Sequence, residues 1–381
     1  MESKKYCTPI SLIMLFLTLL LLFSLSACEK RQVKEKTLIR IGALLPLSGP
    51  MSNRGQHEKE AIELAINDFN SANSDVLLKM IFEDSHGRLP EHVALKLLHT
   101  DNVSAIIAST TPVSRSIYTL ANKKKVIMTF LCSDPTIQKE SPYIFRLYES
   151  KEAEAEQIVK YFGITGEKVA VLYLDQQDIT NQLVNFIMPD FRKNQIKVLF
   201  YAPYQPGKSN FKEYVNGLKN SGADSFLLLG SSDELVGIFE ELYRQKLIGE
   251  IKLVGGISLV SPRNAGVRLP EGVIAAVPRY IIEKNERAKV FESDFQKINK
   301  HAPNLYAAFA YNATQILAEG LAYASLKGGG NPDLVTFHVV GKRYQGIFGE
   351  ASIDNEGSLV LPMELGVIRD GTMLPLKIEK Q

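Results

Sequence analysis

Ala105-Ile106-Ile107-Ala108-Ser109-Thr110-Thr111-Pro112-Val113-Ser114-Arg115 is an apolar run that breaks into three hydroxyl residues and a proline, after which helical spacing begins. The stretch reads as a buried strand that delivers the N-terminus of a helix. Proline is tolerated in a first helical turn because its missing N–H would have had no partner there, and a Ser or Thr just before it accepts from the free amides of that turn. The amides left over point outward, and with the helix dipole they attract an anion. A capped helix end with no ligand has the same local sequence, so the order of elements around it must decide between the two.

Before this stretch, residues 38–45 form an apolar strand, and 46–55, with two prolines and two glycines, read as a loop. Ile62, Ala65, Ile66 and Phe69 then recur at i, i+3, i+4, i+7 as one stripe of a helix. Residues 77–82 are a second strand, 90–99 a second helix and 126–130 a fourth strand. Alternating strands and helices give a parallel sheet covered on both faces, and ligands of such sheets gather at the C-terminal ends of the strands. After Tyr143-Ile144-Phe145-Arg146-Leu147 the pattern starts again, with helices over 152–161, 182–191, 211–218 and 234–245 and strands over 169–174, 198–201, 225–229 and 251–254. Helices over 288–298 and 305–324 follow, then the turn signal Gly328-Gly329-Gly330-Asn331-Pro332. The tail, 348–376, reads as strands around Asp354-Asn355-Glu356-Gly357 and Asp370-Gly371. Two similar α/β units in one chain imply two lobes with a cleft between them, a favoured place for a ligand.

The first 27 residues have the three parts of an export signal: Lys4 and Lys5, an uncharged apolar run over 10–25, then small residues. Leu25-Ser26-Ala27-Cys28 looks like a lipobox, which implies lipidation of Cys28 and a polar tether over 28–36. The chain would then be exported and lipid-anchored to a bacterial cell membrane, facing the periplasm or the cell exterior. Lys and Arg number 44 and Asp and Glu 42, a net charge of +2, so no nucleic acid or other polyanion partner is implied. Of the three cysteines, Cys7 leaves with the signal and Cys28 is acylated, which leaves Cys132 without a disulfide partner. Stability must come from packing, and the length suffices for two domains.

The motifs Ile41-Gly42-Ala43-Leu44-Leu45-Pro46-Leu47-Ser48-Gly49-Pro50 with Gly55, Phe82-Glu83-Asp84, Ser109-Thr110-Thr111-Pro112, Ser133-Asp134-Pro135 and Tyr143-Ile144-Phe145-Arg146 resemble, in order and spacing, the periplasmic leucine/isoleucine/valine-binding proteins. The resemblance implies an α/β fold of two Rossmann-like lobes with parallel-sheet cores joined by three crossovers, the type I periplasmic-binding fold. It implies crossings near Tyr148, Arg279 and Gly346, hence a first lobe of 37–147 plus 280–346 and a second of 148–279 plus 347–381.

In that family the ligand's α-carboxylate rests on a hydroxyl at the helix start and on the loop after the fourth strand. Carried over, these positions are Ser109, Thr110, Cys132 and Ser133, and hydroxyls with free amides suit a carboxylate. Ser133 also fits a turn with Asp134-Pro135, and Cys132 a small buried hydrophobe. The second lobe departs from the family pattern. Asp178-Ile179-Thr180-Asn181 stands where an aromatic would cover the ligand, and Gly255-Gly256-Ile257-Ser258 offers no acid for an ammonium. Either Asp178 takes the amine or the ligand has none; Asp178 also fits a helix cap before Gln182. Ser232 and Ser258, at two other strand ends, complete the candidate ligand-binding set.

No H-E-x-x-H, G-x-S-x-G, P-loop or G-x-G-x-x-G occurs, so no enzyme, metal or cofactor is implied. The reading is a solute-binding lipoprotein that captures a small carboxylate, an amino acid or analogue, and delivers it to an ABC transporter permease. A ligand-presenting sensor subunit, or an interaction lipoprotein resembling activators of peptidoglycan synthases, is the alternative.

Overall fold

The computed structural model describes residues 36–230, 232–260 and 269–378, with the side chains of Ser232 and Asp233 outside that description. Cys28, the export signal and all of the tether but Lys36 therefore lie outside the described residues. Lys36 is held by the carbonyls of Asn70 and Asn73.

Five parallel strands make the first sheet: β1 (Thr37–Leu45), β2 (Val76–Asp84), β3 (Ala105–Ser109), β4 (Ile127–Leu131) and β5 (Ile144–Arg146), in the order β2-β1-β3-β4-β5. Every residue of β3 and β4 is buried, as a central parallel strand covered on both faces requires. The second sheet contains β6 (Val169–Leu174), β7 (Val198–Tyr204), β8 (Ser225–Leu229), β9 (Lys252–Gly255) and β10 (Ile274–Pro278). A three-stranded sheet of β11 (Arg343–Gly346), β12 (Gly349–Ile353) and β13 (Leu359–Val360) precedes two last strands, β14 (Met363–Arg369) and β15 (Thr372–Pro375). These last two extend the second sheet antiparallel, giving β15-β14-β10-β9-β8-β6-β7. The parallel part of each sheet thus has one strand order, in which the first strand sits between the second and the third. That reversal opens a crevice beyond the strand ends, between β1 and β3 in one lobe and between β6 and β8 in the other.

The chain leaves the first sheet after β5, builds most of the second, and then sends helix Leu305–Gly328 back to pack on helix Ser52–Ala72. Its return path crosses itself closely. The Arg146 amide donates to the Gly357 carbonyl at 2.8 Å, and Asn285 Nδ2 donates to the Gly346 carbonyl at 3.0 Å. Among the described residues no helix is long and apolar enough to cross a membrane.

Several elements differ from the sequence reading. Helix Ser52–Ala72 starts inside the expected loop, which places Arg54 and Gly55 in its first turn. Gly55 is required there because a Cβ would lie 2.1 Å from the Pro46 carbonyl oxygen. The helix expected from Gln182 instead begins at Gln177, and Gln182–Ile187 is a π-helical turn, so Asp178 lies within the helix and does not cap it. The glycine run does turn, with Gly329 and Gly330 at φ 61° and 88°, but Asn331 then caps an unexpected helix, Pro332–Val339. Strands β10 and β11 were also not apparent from periodicity. The Asp370-Gly371 hairpin is present with both residues at positive φ, as its tight turn demands.

Candidate functional site

The two crevices face each other across a cavity of about 310 Å³ walled by the ends of strands from both sheets. Of the sequence-predicted residues, Thr110, Cys132, Ser133, Asp178 and Ser258 line it. Ser109 does not. It is fully buried behind the wall, and its hydroxyl donates to Glu58 Oε1 at 2.9 Å. Ser232 opens helix Ser232–Arg244, and its side chain lies outside the described residues.

Glu58 explains why Ser109 faces inward. Arg54, one helical turn earlier, donates through Nε to Glu58 Oε1 at 2.8 Å and through Nη2 to the Leu131 carbonyl at 2.7 Å. The guanidinium packs on the rings of Tyr148 and Tyr306, 5.3 and 4.7 Å from their centroids, and all three residues line the cavity. Burial opposes the charge on Arg54, yet Glu58 and the two tyrosines outweigh it and hold its pKa above the usual guanidinium range. Burial pushes the Glu58 carboxyl up against the pull of Arg54 and Ser109. A fixed cation thus stands in the wall of the first lobe.

Next to it the chain bends sharply. Thr110 adopts φ 73°, ψ 145°, a conformation that a β-branched residue rarely takes, and leads into the short helix Thr111–Ile117. Its amide donates to the Leu131 carbonyl at 3.2 Å, so the same oxygen anchors Thr110 and Arg54. Cys132 is 2% exposed, and burial pushes its thiol above the ordinary range, as for a small buried hydrophobe. The turn expected at Ser133 belongs to its neighbour: Asp134 Oδ1 accepts from the Thr136 amide and hydroxyl. Ser133 is left to reach across the cleft, where its hydroxyl donates to Asp178 Oδ2 at 2.9 Å. The other oxygen of Asp178 is buried without a partner among the described residues.

The acids beside this part of the cleft come from the start of helix Lys151–Thr165 and the residues just before it, not from the strand ends. Lys151 bridges Glu149 and Glu154, each at 3.0 Å, and Glu154 also accepts from the Ile257 amide at 2.8 Å and from Gln182. Burial works against the Lys151 charge, but its two carboxylates outweigh it and hold the ammonium above the usual lysine range. Burial pushes the Glu149 carboxyl up, with Lys151 opposing. Gly256 makes room for this arrangement, since a Cβ there would fall 2.4 Å from Glu154 Oε2. The loop after β9 lacks an acid, as its sequence indicates, and Glu154 fills the space beneath it.

Arg54, Tyr148, Tyr306, Glu149 and Lys151 were missed in the sequence reading. An Arg and a Glu four residues apart, flanking Gly55, are the available signal for the first of them.

The model of the periplasmic binding protein family matches residues 38–372. A solute-binding protein of an ABC transporter from Rhodopseudomonas palustris HaA2, solved with p-hydroxybenzoic acid, superposes with a TM-score of 0.78 at 20% identity, covering 90% of this chain and 96% of that one. The branched-chain amino acid transporter substrate-binding protein LivJ of Streptococcus pneumoniae, solved with isoleucine, gives 0.74 at 19% identity, with 89% and 98% covered. Glutamate receptor 3.1 of Oryza sativa subsp. japonica is 24% identical over 319 residues, 77% of this chain; the chain spans 33% of that relative's length. With its two doubly wound lobes, its cleft and a family match over nearly its whole described length, the chain belongs to the periplasmic binding protein family and has the two-lobe type I fold.

Proposed function

We propose that the protein is an exported solute-binding lipoprotein that captures a small carboxylate, an amino acid or a close analogue, between its lobes and delivers it to an ABC transporter permease. The lobes are those of the sequence reading, 37–147 plus 280–346 and 148–279 plus 347–381, and the anchor is lipid on Cys28. The observation that carries the reading is the facing pair Ser133 and Asp178 at the strand ends of opposite lobes, beside the fixed cation of Arg54.

In this reading the ligand's carboxylate is held on the first lobe by Arg54, Thr110 and Ser133, through charge-assisted bonds. Ser109 acts from behind, by holding Glu58 and through it Arg54. The unpartnered oxygen of Asp178 receives a donor at the ligand's other end, an ammonium or a hydroxyl. Isoleucine and p-hydroxybenzoic acid, bound by two of the structural relatives, each carry a carboxylate and such a donor. Tyr148 and Tyr306 supply apolar walls, and Ser258 lines the second-lobe side. Closure follows if the ligand binds the closed arrangement better than the open one, with hinge motion at the crossings.

A thermal-shift screen of the mature chain against amino acids, amides and small carboxylates tests the reading. A concentration-dependent rise in melting temperature for carboxylates that carry a donor group supports it. A flat response across the panel, with binding to a cell-wall synthase instead, favours the interaction lipoprotein.

A further inference from the structure

A second cavity, of about 490 Å³, lies outside the cleft, between helix Glu286–Asn299, helix Leu305–Gly328 and the segment entering and leaving β11. None of the residues that line it line the cleft. Its floor is apolar, formed by Ile316, Ile347 and the ring of Tyr344, and Val290 stands at its edge with 58% of its surface exposed.

One polar group interrupts this floor. Helix Leu305–Gly328 is buried along most of its length by alanines and other apolar side chains, and Asn312 lies among them at 3% exposure. Thr314, buried in the same helix, satisfies its hydroxyl on the Ala310 carbonyl. Asn312 Nδ2 has no acceptor among the described residues. A buried amide donor left without an acceptor is destabilising. Its place is fixed by the opposite wall, since a Cβ on Gly346 would fall 2.3 Å from Asn312 Oδ1.

The rim has the same sign of imbalance. Lys342 is matched by Glu319 at 2.6 Å, Arg343 by Glu350 at 2.9 Å, and Glu286 by Lys289 at 2.7 Å. Arg287, also in the wall, has no carboxylate partner among the described residues. The uncommitted groups are therefore a buried amide donor and a guanidinium above an apolar floor. Both ask for an acceptor, the guanidinium for an anionic one, and the floor asks for a hydrocarbon body. The volume is in the range of small-ligand pockets.

We propose that this cavity is a second binding site, for a small monocarboxylate with an apolar tail or ring. Its carboxylate meets Asn312 and Arg287, and its hydrocarbon part lies on Ile316, Ile347 and Tyr344. The site adjoins Gly346 and Ile347, whose carbonyls Asn285 holds.

The test titrates hexanoate into the mature chain carrying Ser133→Ala and Asp178→Asn, followed by backbone amide NMR shifts. Saturable shifts centred on Asn312, Gly346 and Ile347 are expected. Arg287→Glu, an exposed change that leaves the fold intact, is expected to weaken them at least tenfold, and Asn312→Leu to do the same. Hexanol, with the same tail and no charge, is expected to bind at least tenfold more weakly than hexanoate. The proposal is overturned if no saturable shifts arise at these residues, if Arg287→Glu leaves the affinity unchanged, or if hexanol binds as well as hexanoate.

Discussion

Ser133, just beyond β4, and Asp178, in the short helix that follows β6, are joined across the cleft by a 2.9 Å hydrogen bond in which the serine hydroxyl donates. A hydroxyl has one proton to give, so a ligand carboxylate that takes it must leave Asp178 free to accept from the ligand's own donor. Under the proposed function, these two bridged residues become separate ligand groups. Asp178→Asn keeps the shape and removes the charge. It is expected to lower the affinity for an amine-bearing ligand by about tenfold to a hundredfold, the effect of losing one charged hydrogen bond, read by isothermal titration.

Ser109→Ala removes a hydroxyl that supports a buried carboxylate. The expected cost is about 1.5–3 kcal/mol in urea unfolding at neutral pH, with weaker ligand binding because Arg54 loses part of its anchor. Unchanged stability would place the hydroxyl outside the Arg54–Glu58 network.

Lys151→Met leaves Glu149 and Glu154 buried without their cation. Breaking one partner of such a pair costs about 3–5 kcal/mol, so a marked loss of stability is expected at pH 7. In the unaltered protein the contribution of Lys151, whose pKa is raised, is complete below the usual lysine value and is lost as the pH rises through its folded value. The deficit of the variant should shrink on acidification, as Glu149, whose carboxyl burial already pushes up, takes up a proton. Denaturant titrations at pH 7 and pH 5 check the sign.

Asp84 shows the opposite sign. Burial alone would raise its carboxyl pKa, but bonds from the Ser48 hydroxyl and the amides of His86, Leu47 and Ser48 bring it below the usual range. Its stabilisation is therefore present above the ordinary aspartate value and disappears as the pH falls through the folded one. Asp84→Ala should be less stable than the parent at pH 7 and approach it as the pH falls below the ordinary aspartate value. Because the residue is only half-buried and solvent screens it, the difference should be modest.

Gly55→Ala places a Cβ against the backbone oxygen of Pro46, which no side-chain movement relieves. A cost of about 1–3 kcal/mol or more is expected, together with displacement of Arg54 from the cleft wall. At Gly256 the obstacle is the Glu154 carboxylate, so Gly256→Ala should disturb the Lys151 cluster before it disturbs the sheet.

Much of the architecture was legible from the sequence, since buried parallel strands such as β3 and β4 are continuous apolar runs and the helices between them keep their stripe. Strand β10 escaped because Ile274-Ala275-Ala276-Val277-Pro278 is short and has no alternation; its pairing with β9 and β14 defines it. The site was legible where the backbone alone sets position. Thr110, Ser133 and Asp178 follow strand ends, and so they reach the cleft. Ser109 was placed at the correct strand end, but which way its hydroxyl turns depends on Glu58, fifty-one residues earlier. Arg54 was hidden by Pro46, Gly49 and Pro50, which signal a loop, while the helix begins at Ser52 with no side-chain cap to mark it.

The central claim, that the cleft holds a small donor-bearing carboxylate between Ser133 and Asp178, is tested most directly by isothermal titration. The solute that gives the largest thermal shift is titrated into the parent and into the Ser133→Ala, Asp178→Asn double variant. Saturable one-to-one binding by the parent, weakened at least a hundredfold in the double variant while its unfolding curve stays cooperative, is the predicted result. Equal affinity in the two proteins would contradict the claim.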